Sequence, residues 1–486
     1  MSVLSSLNFR AILPEALILL LGILVLVIDP FWKEKSRRVN LGWLTAGGLI
    51  AVLAIILLID RPGDPTAAWG GMVRYDWYAF SFKLFFLLAG AITAMFLMDV
   101  EQVGHRAEAY LLLMASLIGM CLMASAGDLI MLYLAIETTS IPLYVLAGFM
   151  LSDRFSVESG FKYLLFGAMT SAILLYGFSL FYGITGTTNF YDLATQLYRF
   201  TPIVLGLLVF IIAGLAFKIS AVPFHFWAPD VYQGAPTPVA GFLSTASKAA
   251  GFAVLLRLFV IAFPSTALGA PPNWTFILAV VATLTMTLGN FLALAQKNIK
   301  RMLAYSSIAH AGYVLIGVVA YSKLGATSVV YYLIAYILTN LAAFGAVVAS
   351  GRVTGSDEIK SYAGLSRRSP ALALVMLVAF LSLAGMPPFG GFVAKVFVFT
   401  SAIESQWLWL AVVGVLNSIV GLYYYLTVLK YVYLYRAESE EDERKPLPIS
   451  RPYSMALVVL SLGIIVVGVI LLPWFNLATK AALSIF

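Results

Sequence analysis

Charged residues are scarce in this chain of 486 residues: Asp, Glu, Lys and Arg together make up 11%, whereas hydrophobic residues make up 62%. With a mean hydropathy of +0.96, this composition excludes a soluble globular domain and predicts a polytopic membrane protein. The first apolar stretch, residues 11–28, contains Pro14 and Glu15 and leads into a basic cluster, so we interpret it as a first membrane span and not as a cleaved signal.

Cysteine and histidine are also scarce. The only cysteine, Cys121, lies in an apolar stretch, and the three histidines, His105, His225 and His310, are far apart in sequence. The sequence therefore contains no disulfide framework and no sign of a metal, haem or iron–sulfur site. The net charge of +7 comes from basic residues spread over short loops instead of one patch with interleaved aromatic residues, which argues against nucleic-acid binding.

Long apolar runs dominate the rest of the chain. Runs of about 17–25 apolar residues are long enough to cross a bilayer as helices, so the sequence predicts an all-α polytopic membrane protein with about fourteen transmembrane helices. The predicted spans cover residues 11–29, 41–59, 78–98, 109–125, 129–150, 158–182, 202–230, 236–262, 274–295, 301–320, 327–349, 370–402, 407–435 and 454–474.

Fourteen crossings put both termini on the same side of the membrane, and the basic residues indicate which side. The loops after odd-numbered spans carry 17 Lys and Arg residues, whereas the termini and the loops after even-numbered spans carry six. By the positive-inside rule, the first set of loops is cytoplasmic and both termini are external, on the periplasmic side. We expect the membrane to be a bacterial plasma membrane, with an organellar inner membrane as the alternative.

Four ionisable side chains lie near the middle of otherwise uncharged apolar stretches: Glu137, Lys218, Lys248 and Lys395. A charged side chain at a helix centre costs ~2.5–3.5 kcal/mol, so the presence of four without a function is improbable. At a rise of ~1.5 Å per residue, Glu137, Lys248 and Lys395 lie ~12–18 Å from the end of a span, near the midplane of a ~30 Å hydrocarbon core.

Three lysines and one carboxylate at this depth suit a proton relay. Burial makes the neutral form of a lysine accessible, and a nearby carboxylate favours the charged form again. Movement of Glu137 towards or away from Lys218 would then load or unload that lysine, and the proton would pass through ordered water and polar residues to Lys248 and on to Lys395. The alternative is a fixed structural ion pair between Glu137 and Lys218, with the other lysines facing aqueous vestibules.

Further polar residues are candidates for the water path of this relay: His225, Ser244, Ser247 and His310. The structural alternative is a hydrogen-bonded packing role for the histidines and hydrogen bonds from the serines to their own helix backbone. Four other basic residues in the spans lie closer to helix ends, and we expect them to reach the headgroups by snorkelling: Lys83, Lys162, Arg257 and Lys430.

Two spans contain helix breakers beside a lysine. Pro223 follows Lys218 by five residues, and a Pro-Pro pair and a Gly-Gly pair precede Lys395. Because Pro removes a backbone hydrogen bond and Gly adopts unusual dihedral angles, the sequence predicts discontinuous helices in spans seven and twelve. Such irregular backbone is tolerated at membrane depth where it is enclosed by protein or lines water.

The two broken spans are five helices apart, which predicts two inverted five-helix repeats. The predicted single membrane domain, 1–486, would comprise 1–108 with spans 1–3, 109–262 with spans 4–8, 274–435 with spans 9–13, and 454–474 as span 14.

The segment from Phe217 to Tyr232, continuing through Gly234-Ala235-Pro236-Thr237-Pro238 to Lys248, resembles the antiporter-like membrane subunits of complex I, the proton-translocating NADH:quinone oxidoreductase. The resemblance covers nearly the whole chain and includes three further segments: Glu137–Tyr144, Lys300–Ser307 and Gly385–Phe392.

This resemblance implies a subunit without a redox cofactor of its own, in which proton translocation is driven by electron transfer from NADH to quinone. FMN, iron–sulfur clusters, NADH and quinone would be bound by other subunits. The implied partners are the other membrane and peripheral subunits of complex I, including neighbouring antiporter-like subunits, and the lipid bilayer. By matching position, Glu137 and Lys218 would be the coupled pair, Lys248 the central relay and Lys395 the exit-side relay.

Within the family, a lysine at the position of Lys395 is typical of the N and L types of antiporter-like subunit, whereas the M type has a glutamate. The short segment after span 14 favours the N type. The alternative function is that of a large subunit of a multi-subunit cation/proton antiporter, which would use the same relay without NADH or quinone.

Overall fold

The computed structural model describes residues 8–32, 35–197, 201–264, 272–436 and 449–486. The helices of the first half are α1 (Leu13–Ile28), α2 (Lys35–Ile59), α3 (Trp77–Leu97), α4 (Glu101–Gly104), α5 (Ala107–Ser125), α6 (Leu129–Ala147), α7 (Arg154–Thr185), α8 (Phe190–Leu197), α9 (Thr201–Ile219), α10 (Trp227–Gly234), α11 (Thr237–Phe242) and α12 (Lys248–Ala262). A π-helical turn, Leu243–Ser247, joins α11 to α12.

The helices of the second half are α13 (Trp274–Leu294), α14 (Ile299–Val319), α15 (Lys323–Thr354), α16 (Leu365–Arg368), α17 (Pro370–Ala384), α18 (Gly390–Glu404), α19 (Leu408–Tyr433), α20 (Arg451–Val469) and α21 (Leu471–Leu483). Four 3-10 turns cover Phe9–Ile12, Asp29–Phe31, Trp69–Gly71 and Ile359–Tyr362. Strands β1 (Thr66–Ala68) and β2 (Val73–Tyr75) form an antiparallel hairpin in which Thr66 is opposite Tyr75.

Within the part of the chain that the structure describes, twelve helices are long and apolar enough to cross a membrane. Predicted spans seven and twelve are each divided into two shorter helices, α9 with α10 and α17 with α18. The prediction of an all-α polytopic membrane protein is therefore confirmed. The count of fourteen crossings, the inverted repeats and the boundaries of the four predicted segments stay predictions.

Both predicted breaks are present. Helix α9 ends at Ile219, and the next residue, Ser220, has φ of 58°. Helix α17 ends at Ala384, where Gly385 has φ of 84°. A left-handed residue of this kind ends a helix because it turns the chain away from the helix axis. At Gly391, the second residue of α18, an added Cβ would lie 1.9 Å from the carbonyl oxygen of Ser382, so the two halves of span twelve pack closely only around a glycine.

The core of the molecule is formed by the helices that carry the predicted site. Every residue of the most apolar window of Thr237–Ala262 is buried inside the protein, and the corresponding fraction is 94% for both α14 and α15. Helix α15 packs against α17, α18, α20 and α21, while α11 packs against α15. Lys248 therefore lies on a span that is enclosed by protein on all sides.

The snorkelling prediction is wrong for Arg257 and Lys83. Arg257 is 1% exposed and donates two hydrogen bonds of 2.8 Å to the carboxylate of Asp76, which also accepts from the backbone N–H of Ala79 at the start of α3. Lys83 is buried, with Nζ 2.8 Å from Glu15 Oε1. Distance from a helix end did not predict these pairs because each partner carboxylate lies on another segment of the chain.

The other two residues of that group lie nearer the surface, as predicted. Lys162 is about one-third exposed and pairs with Asp230 at 2.6 Å and Glu158 at 2.7 Å. Lys430 is exposed, with its ammonium group 5.3 Å from the centre of the Tyr435 ring.

Four of the basic loop residues on which the predicted orientation depends lie outside the described residues: Lys33, Arg199, Arg444 and Lys445.

Asp76→Ala should strongly destabilise the protein, because it leaves the guanidinium of Arg257 buried and unpaired. Loss of one partner of a buried ion pair costs ~3–5 kcal/mol, which a thermal unfolding curve of the detergent-solubilised protein would register as a lower Tm. The double variant Asp76→Leu/Arg257→Met should recover most of that loss, since it removes both charges. Lys430→Ala is the exposed control and should change stability by no more than ~0.5 kcal/mol. An unchanged Tm for Asp76→Ala would contradict the structural role of the pair.

Candidate functional site

Glu137 and Lys218 lie on neighbouring helices but contact different serines. The Oγ of Ser171, on α7, donates a short hydrogen bond to Glu137 Oε1 on α6. Lys218 Nζ, on α9, donates to the Oγ of Ser140 at 2.9 Å. Ser140 follows Glu137 by three residues, so the two lie on the same face of α6. The structure contains no direct ion pair between these two described residues.

A small cavity adjoins Lys218 and Ser140 where α6, α7 and α9 meet. Its volume is ≈ 20 Å³, which is enough for one water molecule. Its polar lining consists of Ser140, Tyr144, Thr170, Ser171 and Lys218. A water molecule at this position would have hydroxyl groups and an amine as hydrogen-bond partners.

Lys248 is held by a serine on the second half of the molecule. It is 2% exposed, and its Nζ donates to the Oγ of Ser307 at 2.8 Å and to the backbone carbonyl oxygen of Ser307 at 2.9 Å. The π-helical turn Leu243–Ser247 ends immediately before Lys248. Such turns occur mostly as single insertions in α-helices and are frequent at functional sites. The predicted water-path residues Ser244 and Ser247 both lie in this turn and are buried.

His310 belongs to the same polar cluster, one turn after Ser307 on α14. Its Nδ1 lies 2.7 Å from the hydroxyl oxygen of Tyr332, and its Nε2 lies 3.2 Å from that of Tyr425. Tyr425 also shares a short hydrogen bond with Ser306. The histidine thus connects α14 to α15 and α19 through hydroxyl groups that can both donate and accept.

His225 is placed differently. It is buried in the break after α9, where its ring packs against Phe226 at a centroid distance of 4.4 Å. Its Nδ1 has no hydrogen-bond partner among the described residues. The structure therefore places Ser244 and Ser247 in the turn before Lys248 and His310 one turn after Ser307, whereas His225 lies in the break after α9.

Lys395 binds oxygens that the break in span twelve releases. Its Nζ donates to the carbonyl oxygens of Leu383 at 3.1 Å and Ala384 at 3.0 Å, and to the Oγ of Ser418 at 2.7 Å. These carbonyls belong to the last turn of α17, where an intact helix would have used them for its own hydrogen bonds. The Tyr313 ring centre lies 5.0 Å from the same ammonium group.

The four predicted residues thus form three separate polar clusters instead of one continuous chain of hydrogen bonds. Glu137 and Lys218 are grouped around Ser140 and Ser171, Lys248 adjoins Ser307 and His310, and Lys395 adjoins Ser418 and the two carbonyls. Within the described ranges, no hydrogen bond joins one lysine directly to the next. Water in the gaps would complete a path for protons.

Sequence reasoning missed Asn340, a buried amide on α15 that donates to Ser244 Oγ at 2.7 Å and to the hydroxyl oxygen of Tyr336 at 3.1 Å. The available signal was its position, because an amide in the middle of a long apolar span needs a polar partner within the protein.

Comparison with known proteins places the chain in a family. The family model described as NADH:quinone oxidoreductase/Mrp antiporter, TM matches residues 126–421, a range that contains Glu137, Lys218, Lys248 and Lys395. The chain belongs to this family. The NADH:quinone oxidoreductase/Mrp antiporter match covers both broken spans and the π-helical turn.

Relatives in this family match along their whole length. The NADH-quinone oxidoreductase subunit N of Heliobacterium modesticaldum is 42% identical over 481 residues, covering 99% of this chain and 100% of the relative. The protein of the same name from Moorella thermoacetica is 43% identical, with 99% of each chain covered. A chain of respiratory complex I from Thermus thermophilus has a TM-score of 0.79 at 34% identity, with 96% of this chain and 99% of that chain covered.

Gly385→Ala should disturb the Lys395 cluster. An added Cβ would lie 2.8 Å from the Cδ of Lys395, and the left-handed backbone costs a non-glycine residue a further ~1–2 kcal/mol. We expect a lower Tm and weaker proton pumping in the assembled complex. Gly47→Ala is the matched control, since nothing lies within 4 Å of its added Cβ and alanine favours a helix. Equal effects of the two substitutions would rule out a specific role for Gly385.

Proposed function

We propose that this chain is the N-type antiporter-like subunit of an NADH:quinone oxidoreductase, and that it carries protons across the membrane through Glu137, Lys218, Lys248 and Lys395. Relatives that are 42% and 43% identical to this chain are named NADH-quinone oxidoreductase subunit N, which supports the assignment to the complex. The observation that carries the proposal is the way the three lysines are bound. Each donates only to hydroxyl or backbone carbonyl oxygens, and none of them has a carboxylate within ion-pair distance among the described residues.

This environment favours proton exchange because it does not fix the charge of the amine. A buried ammonium group without a counter-ion is penalised by desolvation, so its neutral form lies within reach. Hydroxyl groups accept a hydrogen bond from an ammonium and can also donate one to a neutral amine. Lys218 and Lys395 can therefore keep their serine partner in both protonation states.

Glu137 is the group that can shift Lys218 between its ammonium form and its neutral form. A carboxylate ~4 Å from Lys218 would stabilise the ammonium form by about 4 kcal/mol at an effective dielectric constant of ~20. In the structure Glu137 is bound to Ser171, and a change of rotamer towards Ser140 would bring it to Lys218. Loading Lys218 and then withdrawing Glu137 would push the proton towards Lys248 and Lys395.

The chemistry of electron transfer would take place elsewhere in the complex. FMN, iron–sulfur clusters, NADH and quinone would be bound by other subunits, and this chain would contact other membrane and peripheral subunits of the complex, including neighbouring antiporter-like subunits. The two five-helix units, 109–262 and 274–435, would act as inverted repeats that each present one broken helix to the relay. The alternative of a cation/proton antiporter subunit is less well supported, because relatives above 40% identity are named NADH-quinone oxidoreductase subunit N.

Glu137→Gln and Lys218→Ala should both assemble into the complex yet lose most proton pumping. Each removes one member of the pair that would load and unload the relay. Pumping is measured in inverted membrane vesicles by quenching of a pH-sensitive dye after NADH is added, and assembly by the amount of intact complex on a native gel. Lys430→Ala, which changes an exposed lysine on α19, should pump normally. Native-like pumping in both Glu137→Gln and Lys218→Ala would contradict the proposal.

We also propose a bacterial plasma membrane location with both termini on the periplasmic side, as the basic loops predict. In a Cys121→Ala background, Lys360→Cys should react with a membrane-impermeant thiol reagent only from the cytoplasmic side. Lys323→Cys, at the start of α15 and on the predicted external side, should react only from outside. The reverse labelling pattern would place both termini on the cytoplasmic side, and it would leave the proposed relay unaffected.

A further inference from the structure

We propose that Asp60 binds a proton in the folded protein and forms, with Glu15, Lys83 and Tyr75, an external proton-binding site that is separate from the relay. Asp60 directly follows α2, and all four residues lie outside the range 126–421 that the family model matches. Only the external location rests on the proposed orientation of the chain. The binding of a proton follows from the contacts and charges of the four residues.

The site contains two buried carboxyl groups but only one buried ammonium group. Glu15, in the first turn of α1, is 6% exposed, Asp60 is 2% exposed and Lys83 is 4% exposed. Lys83 Nζ lies 2.8 Å from Glu15 Oε1 and donates to the backbone carbonyl oxygen of Ala11 at 2.8 Å. Among the described residues no ion pair joins Lys83 to Asp60, so one of the two carboxyl groups has no counter-ion of its own.

Asp60 is bound by an uncharged donor instead. The hydroxyl of Tyr75, on β2, donates to Asp60 Oδ1 at 2.9 Å and to the backbone carbonyl oxygen of Asp60 at 3.1 Å. Burial and the neighbouring Asp60 raise the pKa of the Tyr75 phenol, so this hydroxyl keeps its proton and continues to donate. Because Oδ1 accepts from Tyr75, Oδ2 is the oxygen of Asp60 that would carry the bound proton.

The charges around Asp60 do not compensate for its burial. Burial has the largest effect and raises the pKa of the Asp60 carboxyl above its ordinary value. The hydrogen bond from Tyr75 and the positive charge of Lys83 lower this pKa by smaller amounts, and Glu15 raises it further. Arg10 lowers it as well, but its side chain is exposed, so water screens its charge. Desolvation therefore favours the neutral form of Asp60.

The unsatisfied oxygens of Glu15 favour the same form. Apart from the ion pair with Lys83, neither oxygen of Glu15 has a hydrogen-bond partner among the described residues. Buried polar atoms need partners, and a protonated carboxyl group can donate a hydrogen bond whereas an ionised one can only accept. A proton on Asp60 thus adds a donor to the cluster. An ionised Asp60 would add a second negative charge and further acceptors.

The proton would be exchanged with the aqueous phase at the end of α2. Ile59 and Arg61, the residues on either side of Asp60, are exposed. The side chain of Arg61 is bound elsewhere, because its Nε donates to the backbone carbonyl oxygen of Leu57 at 2.8 Å. On binding, a hydronium ion gives its proton to Asp60 Oδ2 and leaves a water molecule, and on release a water molecule takes the proton back.

The test is the pH dependence of thermal unfolding of the detergent-solubilised full chain. Asp60→Asn is neutral at every pH, so the Tm of the native protein minus that of this variant isolates the effect of the Asp60 proton. A raised pKa in the folded state contributes stability that is fully present below the ordinary value of 3.8 and is lost as the pH rises through the raised pKa. We therefore expect the Tm difference to fall as the pH is raised from about 4 and then to level off.

Asp64→Asn is the matched control, because Asp64 is exposed on the same loop. The Tm of the native protein minus that of Asp64→Asn should show no such fall. If Asp60 were an ionised second counter-ion of Lys83, the difference for Asp60→Asn would rise with pH instead. A rising difference, or one that does not change with pH, would overturn the site.

Tyr75→Phe is a second variant that keeps Asp60 in place and serves if Asp60→Asn does not fold. Loss of the Tyr75 hydrogen bond should raise the pKa of Asp60 further, since that bond lowers it. The Tm of Tyr75→Phe relative to the native protein should then be highest at low pH and decline above pH ~4. A decline confined to pH values below 3.8, or no decline, would overturn the site.

These results are independent of the fate of the proposed function. Thermal unfolding requires neither NADH nor pumping, so a failed test of Asp60 would leave the relay, and native-like pumping in Glu137→Gln and Lys218→Ala would leave the Asp60 site. Labelling of Lys323→Cys from the cytoplasmic side alone would overturn the external location of the site.

Discussion

A lysine ammonium enclosed by apolar helices has to find oxygen atoms within the protein, and the backbone of this chain is arranged around that requirement. Regular α-helices use their carbonyl oxygens internally, so they have few to offer. Lys395 uses two carbonyls at the broken end of α17, and Lys248 uses both oxygens of Ser307. Three departures from regular helix lie beside these lysines: the turn at Ser220 two residues after Lys218, the π-helical turn directly before Lys248, and the break at Gly385 that contacts Lys395.

Two kinds of buried charge coexist in this fold. Arg257 and Lys83 each have a carboxylate within 2.8 Å, so their charge is fixed and their role is to join α3 to other helices. Lys218, Lys248 and Lys395 have only neutral acceptors among the described residues, so no counter-ion fixes their charge. In the proposed relay, the presence or absence of a buried counter-ion would be the physical feature that separates structural from proton-exchanging groups in the same membrane domain.

The sequence predicted the parts of this arrangement that are encoded locally. The apolar runs predicted the spans. Pro223 predicted the break in span seven, and the Pro-Pro and Gly-Gly pairs predicted the break in span twelve, because these residues disturb the backbone of their own segment. The π-helical turn before Lys248 contains neither Pro nor Gly and left no local signal. The partner of Arg257 lies 181 residues away, and Asn340 meets Ser244 across 96 residues, so these contacts depend on how the helices pack.

The complete enclosure of the span that carries Lys248 has a consequence for how the protein responds to its membrane. No lipid chain contacts the most apolar window of Thr237–Ala262, since all of it is buried against other helices. The dielectric surroundings of the central amine are therefore set by side chains and bound water. Changes in acyl-chain length or in headgroup charge would act on the outer helices and leave the energy of a proton on Lys248 almost constant.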